Sequence, residues 1–147
     1  MDVNNIKASI EFVDSYVRKF NIEINKPPAS RPDVEGEMKI DYTLSKIGKA
    51  DGCLYGGVDL QVNADLLEKE GVFSSLNMVY TGVFKTNEET PEDVFKKMLE
   101  LNGVMVLYQL SRSLITSITA QAGLVPALTL PLINVHKVID KKKSPKK

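Results

Sequence analysis

Alternation of apolar and polar residues predicts β-strands in the first half of the chain. From 38 to 44 every even position is apolar and every odd position is polar, as expected for a strand with one face on a core. Residues 16–24 form a second candidate strand, which extends back to Ile10. The phase of its apolar positions changes near Asp14 and Ser15, which predicts a β-bulge or bend there.

Two further strands are predicted at residues 53–62 and 74–84. In the first of these, the apolar positions change phase at Gly56 and Gly57. A glycine pair at a phase change indicates a bulge or kink that lets a strand curve, and this explains the pair better than a phosphate-binding loop does. The second has its large apolar side chains on even positions, so it is expected to bury one face.

The connections indicate how these strands are ordered. Those at 48–52 and 63–71 are short, so the strands that they join are expected to be antiparallel neighbours. The connection at 26–32 holds three prolines and is longer and stiffer. We therefore expect it to cross the sheet instead of forming a hairpin.

The second half of the chain has a helical pattern. Thr90 is the expected N-cap of a helix, and Pro91 suits its first turn. The pair Asn102–Gly103 then favours a break. Beyond it a long helix is expected over 104–122, with Gly123 as its left-handed C-terminal cap.

The long helix is apolar around more than one face. One sheet cannot cover all of these side chains, so a second layer or a second subunit must cover the rest. Only a short helix, at about 135–140, remains to supply such cover, and this favours oligomerisation. The predicted fold class is α+β, with a four-stranded antiparallel sheet followed by a long helix and a short C-terminal helix. The residues expected at the oligomer interface are Val104, Leu107, Tyr108, Ser111, Ile115 and Ile118.

Size and charge place the chain among ordinary globular domains. It has 147 residues, of which 43% are hydrophobic and 26% charged, and a single Cys that cannot form an internal disulfide. The last eleven residues hold six lysines and one aspartate, so the remainder carries 13 basic and 18 acidic residues. This mildly acidic body argues against nucleic-acid binding. We expect one domain at 1–140 and a basic, disordered tail at 141–147.

Neither a targeting signal nor a membrane span is expected. Residues 1–5 lack the basic region that opens a signal peptide, and no clean apolar region follows them. The stretch 101–135 has Arg112 as its one charged residue, but polar side chains and two prolines interrupt it. A spanning helix needs about 20 mostly apolar residues without interruption. These features favour a soluble, cytoplasmic protein.

Reaction chemistry is sparse in this sequence. The one histidine, His136, has no histidine partners for a triad or a zinc site, and Cys53 has the apolar neighbours of a packed thiol. The carboxylates Glu35, Glu37 and Asp41 share the polar face of a strand, which is typical of a solvated surface. No phosphate loop, dinucleotide fingerprint or calcium loop occurs. We expect no enzyme activity, no cofactor and no metal site.

Several segments carry residue patterns that recur in one known family. Residues 16–27 form a strand that leaves through an acidic residue toward proline, and 79–84 contain a Gly-Val-Phe ending. A Tyr, an Arg, an Ile-Thr-Ser run and a closing Gly occupy 107–123, and a loop with Leu, Pro and Asn follows at 128–135. Over roughly residues 10–140 the chain thereby resembles the SecB family of bacterial export chaperones and its SecB-like relatives.

The resemblance implies a homotetramer, a dimer of dimers with the sheets outside and the long helices between them. It also implies a holdase that binds unfolded or non-native polypeptides without ATP, in apolar grooves between the crossover and the C-terminal loop and helix. Such clients offer apolar side chains and unpaired backbone groups that a groove and a strand edge can satisfy. For each groove residue, simple core packing is the competing interpretation. The expected polypeptide-binding residues are Pro32, Val34, Leu124, Val125, Leu128, Leu130, Leu132, Val135 and Ile139.

Departures from the family pattern bear on the partner. In the family, an acidic patch on the outer sheet face docks the SecA motor. Glu23 matches one acidic position, but Asn77 stands where the family has a carboxylate, and Lys19 adds a positive charge nearby. SecA docking is therefore expected to be weak.

Other functions stay open at this stage. One alternative is a dedicated chaperone for a single client, such as the antitoxin of a toxin–antitoxin pair. Two further alternatives belong to other classes of function. The chain could be a small-ligand protein with a pocket between sheet and helix, which would show a buried polar cluster facing that pocket. It could also be an adaptor whose basic tail contacts membrane or nucleic acid.

Overall fold

The computed structural model describes residues 10–26, 34–69, 71–124 and 126–143. Within them the chain forms an antiparallel sheet and then a helical half. The strands are β1 (Glu11–Ile24), β2 (Glu35–Leu44), β3 (Gly48–Ala50), β4 (Cys53–Glu68) and β5 (Gly71–Asn87). The helices are α1 (Glu92–Met98), α2 (Val104–Gln121) and α3 (Val135–Lys143), and a π-helical stretch (Leu99–Gly103) joins α1 to α2.

The order of the strands across the sheet confirms the predicted topology. The order is β1-β5-β4-β2, and every pairing is antiparallel. Since β1 and β2 lie at opposite edges, the connection between them crosses the sheet, as predicted from its length and prolines. Most of that connection, 27–33, lies outside the described residues. The prediction of four strands missed β3, a short segment that pairs with β4.

Strand β1 is an edge strand with two register shifts. One lies between Phe12 and Asp14, and the other between Val17 and Lys19. Between the two shifts the odd-numbered side chains face the helices, since Val17 pairs with the inward-facing Tyr80. The bulge predicted near Asp14 is confirmed.

The phase change and bulge predicted at Gly56 and Gly57 are absent from the ladder between β4 and β5. The ladder between β4 and β5 runs through both glycines without a shift, and the even positions of β4 stay buried from Leu54 onward. A Cβ at Gly56 would lie 2.5 Å from the Leu99 Cδ1, so this glycine allows the helical half to approach the sheet. The strand also continues to Glu68, so most of the predicted connection at 63–71 is strand.

The helical half departs from prediction at two points. The N-cap of α1 is Pro91 instead of Thr90, without a side-chain capping bond. The expected break at Asn102–Gly103 is absent, because the π-helical stretch carries the chain directly into α2. The predicted left-handed cap is confirmed, since Gly123 has a φ of 99°.

The structure corrects the predicted oligomer interface. Five of its six residues are fully buried inside this chain, which leaves them unable to contact a second subunit, and Ile118 is half-buried. These five are Val104, Leu107, Tyr108, Ser111 and Ile115. The sheet covers one side of α2, and the loop at 124–134 covers another, which the prediction had assigned to oligomerisation. The exposed apolar side chains of α2 are Met105, Val106 and Leu110.

Candidate functional site

The loop between α2 and α3 is fastened to α2 by side chains spaced one helical turn apart. They bond the backbone of the loop from 128 to 131, which contains prolines and carries no regular hydrogen-bond ladder of its own. Tyr108 begins the series, and its hydroxyl donates to the carbonyl of Pro131. The series consists of Tyr108, Arg112, Thr116 and Thr119.

The other three side chains bond both carbonyl and N–H groups of the loop. The Nε of Arg112 donates to the Leu130 carbonyl at 3.0 Å, and the Thr116 hydroxyl donates to the Leu128 carbonyl at 3.2 Å. The Thr119 hydroxyl oxygen accepts the peptide N–H of Leu128 at 2.9 Å. These residues belong to the motif by which the sequence resembled a known family, so the structure supplies a physical reason for the motif.

Sequence reasoning missed this role. It placed Tyr108 at a subunit interface and assigned no role to Arg112, Thr116 or Thr119. The available signal was their spacing of three and four residues, which puts polar side chains along one side of an otherwise apolar helix. Burial raises the pKa of the Tyr108 phenol, which keeps it a neutral hydrogen-bond donor.

Three predicted polypeptide-binding residues meet in a small apolar cluster at one end of the sheet. We call it the crossover cluster, because Ile24 and Val34 lie on either side of the crossover between β1 and β2. Phe73 is fully buried at its centre. Leu128 links the cluster to the main core. The cluster comprises Leu66, Phe73 and Leu124 together with Ile24, Val34 and Leu128. A groove of about 390 Å³ opens beside Val34 and Leu67.

The remaining predicted groove residues lie in different environments. Leu130 and Val135 are buried in the main core, and Ile139 is half-buried against it. Leu132 is 76% exposed and therefore accessible without rearrangement. Pro32 and Val125 lie outside the described residues. Val34, Leu124 and Leu128 thus share one cluster, whereas the others extend along the loop and α3.

A second groove runs between α2 and the start of α3. Its volume is about 450 Å³, and both apolar and amide side chains line it. Met105, on its rim, is 43% exposed. His136 also lies there, exposed at the beginning of α3, in agreement with its predicted surface position. The lining residues are Leu101, Asn102, Met105, Tyr108, Gln109, Ile133, Asn134, Val135 and His136.

The C-terminal end of α3 is held by charged contacts, which we call the lysine clamp. The ammonium of Lys142 lies 2.7 Å from a carboxylate oxygen of Asp41 and 4.6 Å from the centre of the Tyr42 ring. Lys143 lies 3.5 Å from the Glu100 carboxylate, which accepts a 2.8 Å bond from the Tyr42 hydroxyl. Burial and the Glu100 carboxylate raise the pKa of Tyr42, whereas the Lys142 hydrogen bond lowers the pKa of Asp41.

The clamp corrects the predicted start of the tail. Residues 141–143 were expected to be disordered, but α3 continues through Lys143. The contacts of Lys142 and Lys143 with the sheet and the π-helical stretch hold this last turn in place. Residues 144–147 lie outside the described part of the chain.

The outer face of the sheet carries the two predicted docking residues. Glu23 is exposed and lies opposite Ser75, and the same row across the sheet continues through Asp65 to Glu37. Asn77 is exposed in the adjacent row of the same face. The register therefore places three carboxylates in one row, two of which sequence reasoning did not connect with docking.

The described residues offer little reaction chemistry. No group of three potential metal ligands occurs in that part of the chain. Each buried side-chain nitrogen and oxygen there has a hydrogen-bond partner, so none is aimed unpartnered into a pocket. Cys53 is half-buried in β4.

Across the described ranges, no helix is both long and apolar enough to cross a bilayer.

Comparisons with known proteins bear on this arrangement. The chain is similar to a SecB-like chaperone of Mycobacterium tuberculosis, solved in complex with a ChAD peptide from the HigA1 antitoxin. That match has a TM-score of 0.65 and 13% identity over 86% of this chain and 91% of the other. A protein of unknown function from Streptococcus agalactiae matches with a TM-score of 0.48 and 12% identity, over 84% of this chain and 97% of that one.

The remaining comparisons concern sequence. No curated protein matches the chain significantly. The family model described as preprotein translocase subunit SecB matches residues 4–145, nearly the whole chain. The chain therefore belongs to the SecB family, whose members are chaperones.

Proposed function

We propose that this protein is an ATP-independent holdase that binds non-native polypeptides and acts in the cytoplasm. The observation that carries the proposal is the crossover cluster, an apolar site at one end of the sheet that is bordered by a groove. It lies where the loop after α2 meets the sheet, and that loop also exposes Leu132. Family membership supports the same function.

The site suits an extended client better than a compact ligand. The crossover cluster and the groove beside α3 lie at two places along the same loop, and both are open to solvent. A polypeptide in extended form spans about 3.3 Å per residue and presents apolar side chains alternately. Such a chain can place apolar side chains in separate shallow sites, and the charged residues Glu35, Glu68 and Lys69 also line the first groove. Chaperones gain breadth of clients from such non-directional apolar contacts.

We further propose that the active form is a homotetramer. Phe12 and Val17 on β1 point to the same side of the sheet as α2 and are 48% and 41% exposed. On α2, Val106 and Leu110 are 36% and 38% exposed. An exposed apolar surface on a sheet edge and a helix is typical of an interface between subunits. A symmetric oligomer would cover it by pairing like with like.

Light scattering on a sizing column tests both proposals. The probe is reduced, carboxymethylated lactalbumin, which stays unfolded without denaturant. We expect a mass near four chains that rises when the client co-elutes. Leu132→Glu should lower client binding because it places a charge on the exposed apolar loop, whereas Thr129→Glu, an exposed polar position on the same loop, is the matched control. A stable monomer that ignores the client would refute the holdase.

A dedicated client is the second candidate function. The structural relative from Mycobacterium tuberculosis was solved with an antitoxin peptide, which favours testing single clients as well as general ones. Competition distinguishes the two. If a peptide from an antitoxin encoded by a neighbouring gene binds at least about tenfold more tightly than carboxymethylated lactalbumin, the dedicated role is supported. Equal affinities would favour the general holdase.

Coupling to SecA would depend on the outer sheet face. The row of Glu23, Asp65 and Glu37 is acidic, but Lys39 and Asn77 in the next row dilute its charge. We propose that any docking of a basic SecA segment is weak. Salt-sensitive binding to SecA that is lost in Glu23→Gln would contradict this part of the proposal.

A further inference from the structure

A recess opens in the outer face of the sheet, at the end away from the crossover cluster. Its floor is Gly57, an outward-facing position of β4 that pairs with Val83 on β5. Because this glycine has no side chain, it leaves a cavity of about 490 Å³ between its neighbours. We call this cavity the tyrosine recess, after Tyr16 and Tyr55, which line it together with Gly57.

A bulge at the edge of the sheet builds one rim of the recess. Strands β2 and β3 pair with β4 on either side of 45–47, so three residues of the edge face two residues of β4. Ser45 donates its peptide N–H to the Gly57 carbonyl at 2.9 Å, and its hydroxyl oxygen accepts the Gly57 N–H at 2.7 Å. A Cβ at Gly57 would lie 3.1 Å from that oxygen. Bulges re-aim side chains beside functional sites, and this one brings Lys46 to the rim.

The two tyrosines line the recess from different strands. Tyr16 on β1 is 53% exposed, and Tyr55 on β4 is half-buried. Tyr16 lies in the row of Asp59, four residues along β4 from Tyr55 and two strands away. Strand spacings then put the two Cα atoms roughly 16 Å apart, diagonally across Gly57. Shortened by the rings, this gap suits about one turn of polyproline II helix, which has three residues rising about 3.1 Å each.

The lining carries a net positive charge. Among the described residues that line the recess, Asp59 is the one carboxylate, and it accepts bonds from the Arg18 guanidinium at 2.8 Å and the Thr81 hydroxyl at 2.6 Å. Lys46 is exposed at the rim, and the Arg18 side chain is 62% exposed. The carboxylate of Asp14, on the neighbouring part of β1, accepts the peptide N–H of the next residue. This balance favours a partner with negative charge beside the recess.

The floor of the recess offers no backbone groups to a partner. Strands β4 and β5 are inner strands of the sheet, and both backbone groups of Gly57 are bonded to Ser45. A partner therefore cannot add as a strand at this place and must bind through side chains. Polyproline II segments bind aromatic-lined grooves in this way, because they stay extended without internal hydrogen bonds and lose little entropy on binding.

We propose that the tyrosine recess binds a proline-rich segment of a partner protein, with an acidic flank. The proline rings pack between Tyr16 and Tyr55 over Gly57, and the acidic flank lies toward Arg18 and Lys46. The recess faces away from the helical half, so its occupant and a client bound beside the loop at 124–134 can be held together. The site is thus separate from the proposed client sites.

Fluorescence anisotropy of the full-length protein tests this proposal. The probe is a fluorescein-labelled peptide of six prolines followed by two glutamates. One control peptide ends in two lysines instead, and another replaces the prolines with alternating glycine and serine. We expect the acidic proline peptide to bind at least about fivefold more tightly than either control, since only this peptide has both the rings and the charge.

Variants of the lining separate the contribution of the ring from that of the charge. Tyr16→Ser should weaken binding about three- to tenfold, whereas Tyr16→Phe, which keeps the ring, should bind like the parent protein. Lys46→Glu should weaken binding of the acidic peptide more than Lys39→Glu, the matched control at an exposed position of β2. The exposed positions of Tyr16 and Lys46 leave the core intact, and circular dichroism checks the fold of each variant.

Several outcomes would overturn the proposal. Equal binding of the acidic peptides with and without proline would show charge attraction alone, and unchanged binding by Tyr16→Ser would place the peptide elsewhere. Displacement of the peptide by saturating carboxymethylated lactalbumin would assign it to the client sites. No binding of the acidic proline peptide at about 1 mM would also refute the proposal. Failure of the protein to bind lactalbumin would refute the holdase alone, since peptide binding does not depend on it.

Discussion

Two regions of the molecule are held together by different forces. In the body, the sheet and the helices from α1 to α2 meet through side chains that are fully buried, such as Phe95, Leu99 and Leu107. In the cover, formed by the loop at 124–134 and α3, backbone carbonyls are bonded by helix side chains and α3 is held by partly exposed ion pairs. The body relies chiefly on packing, whereas the cover combines polar contacts with the burial of Leu124, Leu130 and Val135.

This difference separates the part that keeps the fold from the part that can rearrange. Removing packed atoms costs several kcal/mol, whereas a single hydrogen bond contributes about 1 kcal/mol net and an exposed ion pair less. Segments with few buried apolar contacts open first. The proposed client sites lie in the cover and at its border with the sheet, where opening leaves the body intact.

The largest expected effect comes from removing a packed side chain from the body. Leu107→Ala removes a fully buried side chain and should lower the free energy of unfolding by about 2–5 kcal/mol in a urea titration. Leu110→Ala, one turn away and 38% exposed, should change it by less than about 1 kcal/mol at a subunit concentration too low for assembly. Equal effects would contradict the assignment of Leu107 to the core and Leu110 to the surface.

A methyl group at the contact between sheet and helix should have a smaller effect. Gly56→Ala places a Cβ 2.5 Å from Leu99 and 3.2 Å from Phe95, so repacking should cost about 1–3 kcal/mol, measured by thermal unfolding. Gly48→Ala is the control, since its Cβ meets nothing within 4 Å. A neutral Gly56→Ala would show that the helices do not need this close approach.

Within the cover, one threonine should matter more than its neighbours. Thr119→Val removes the acceptor of the Leu128 N–H and should cost about 1–2 kcal/mol while speeding hydrogen exchange at 127–131. Ser117→Ala, on an exposed side of α2, should leave both unchanged. If 127–131 exchange as slowly in Thr119→Val as in the parent protein, the loop does not depend on this bond.

Acid should loosen the lysine clamp before it unfolds the body. Because Lys142 holds the pKa of Asp41 below its usual 3.8, the pair stabilises docked α3 above that pH and is lost as the pH falls through the lowered pKa. The effect is small, since both side chains are more than a third exposed. Chemical shifts of 135–143 should move toward coil values as the pH falls below about 4, ahead of the β4 signals. In the Asp41→Asn variant, the chemical shifts of 135–143 should already lie closer to coil values at pH 6.

Local patterns predicted the parts of the fold that local forces determine. Alternation located β2 and β5, and the phase change near Asp14 located the first bulge of β1. The bulge predicted at the glycine pair is absent from β4. Gly56 instead allows a close contact with Leu99, which no local window contains. The same holds for α2. The apolar faces of α2 indicated that two layers cover this helix. Only the folded structure shows that the loop after α2 forms one of these layers.

The candidate site was predictable in outline. Val34 lies far from Leu124 and Leu128 in the sequence, and the three meet in the crossover cluster. The clamp was not foreseen, because a lysine run near a chain end has the composition of a solvated tail. Its partners Asp41 and Glu100 are about 100 and 43 residues away along the chain. Tertiary contacts of this kind leave no periodic signal.

The most direct test of the account is a hydrogen-exchange footprint of carboxymethylated lactalbumin on the parent protein. The account predicts slower exchange at 34–42 and 124–134 and no change on the outer face around Asn77. Protection confined to the outer face, with the loop and β2 unchanged, would contradict the proposal that the client binds at the cover.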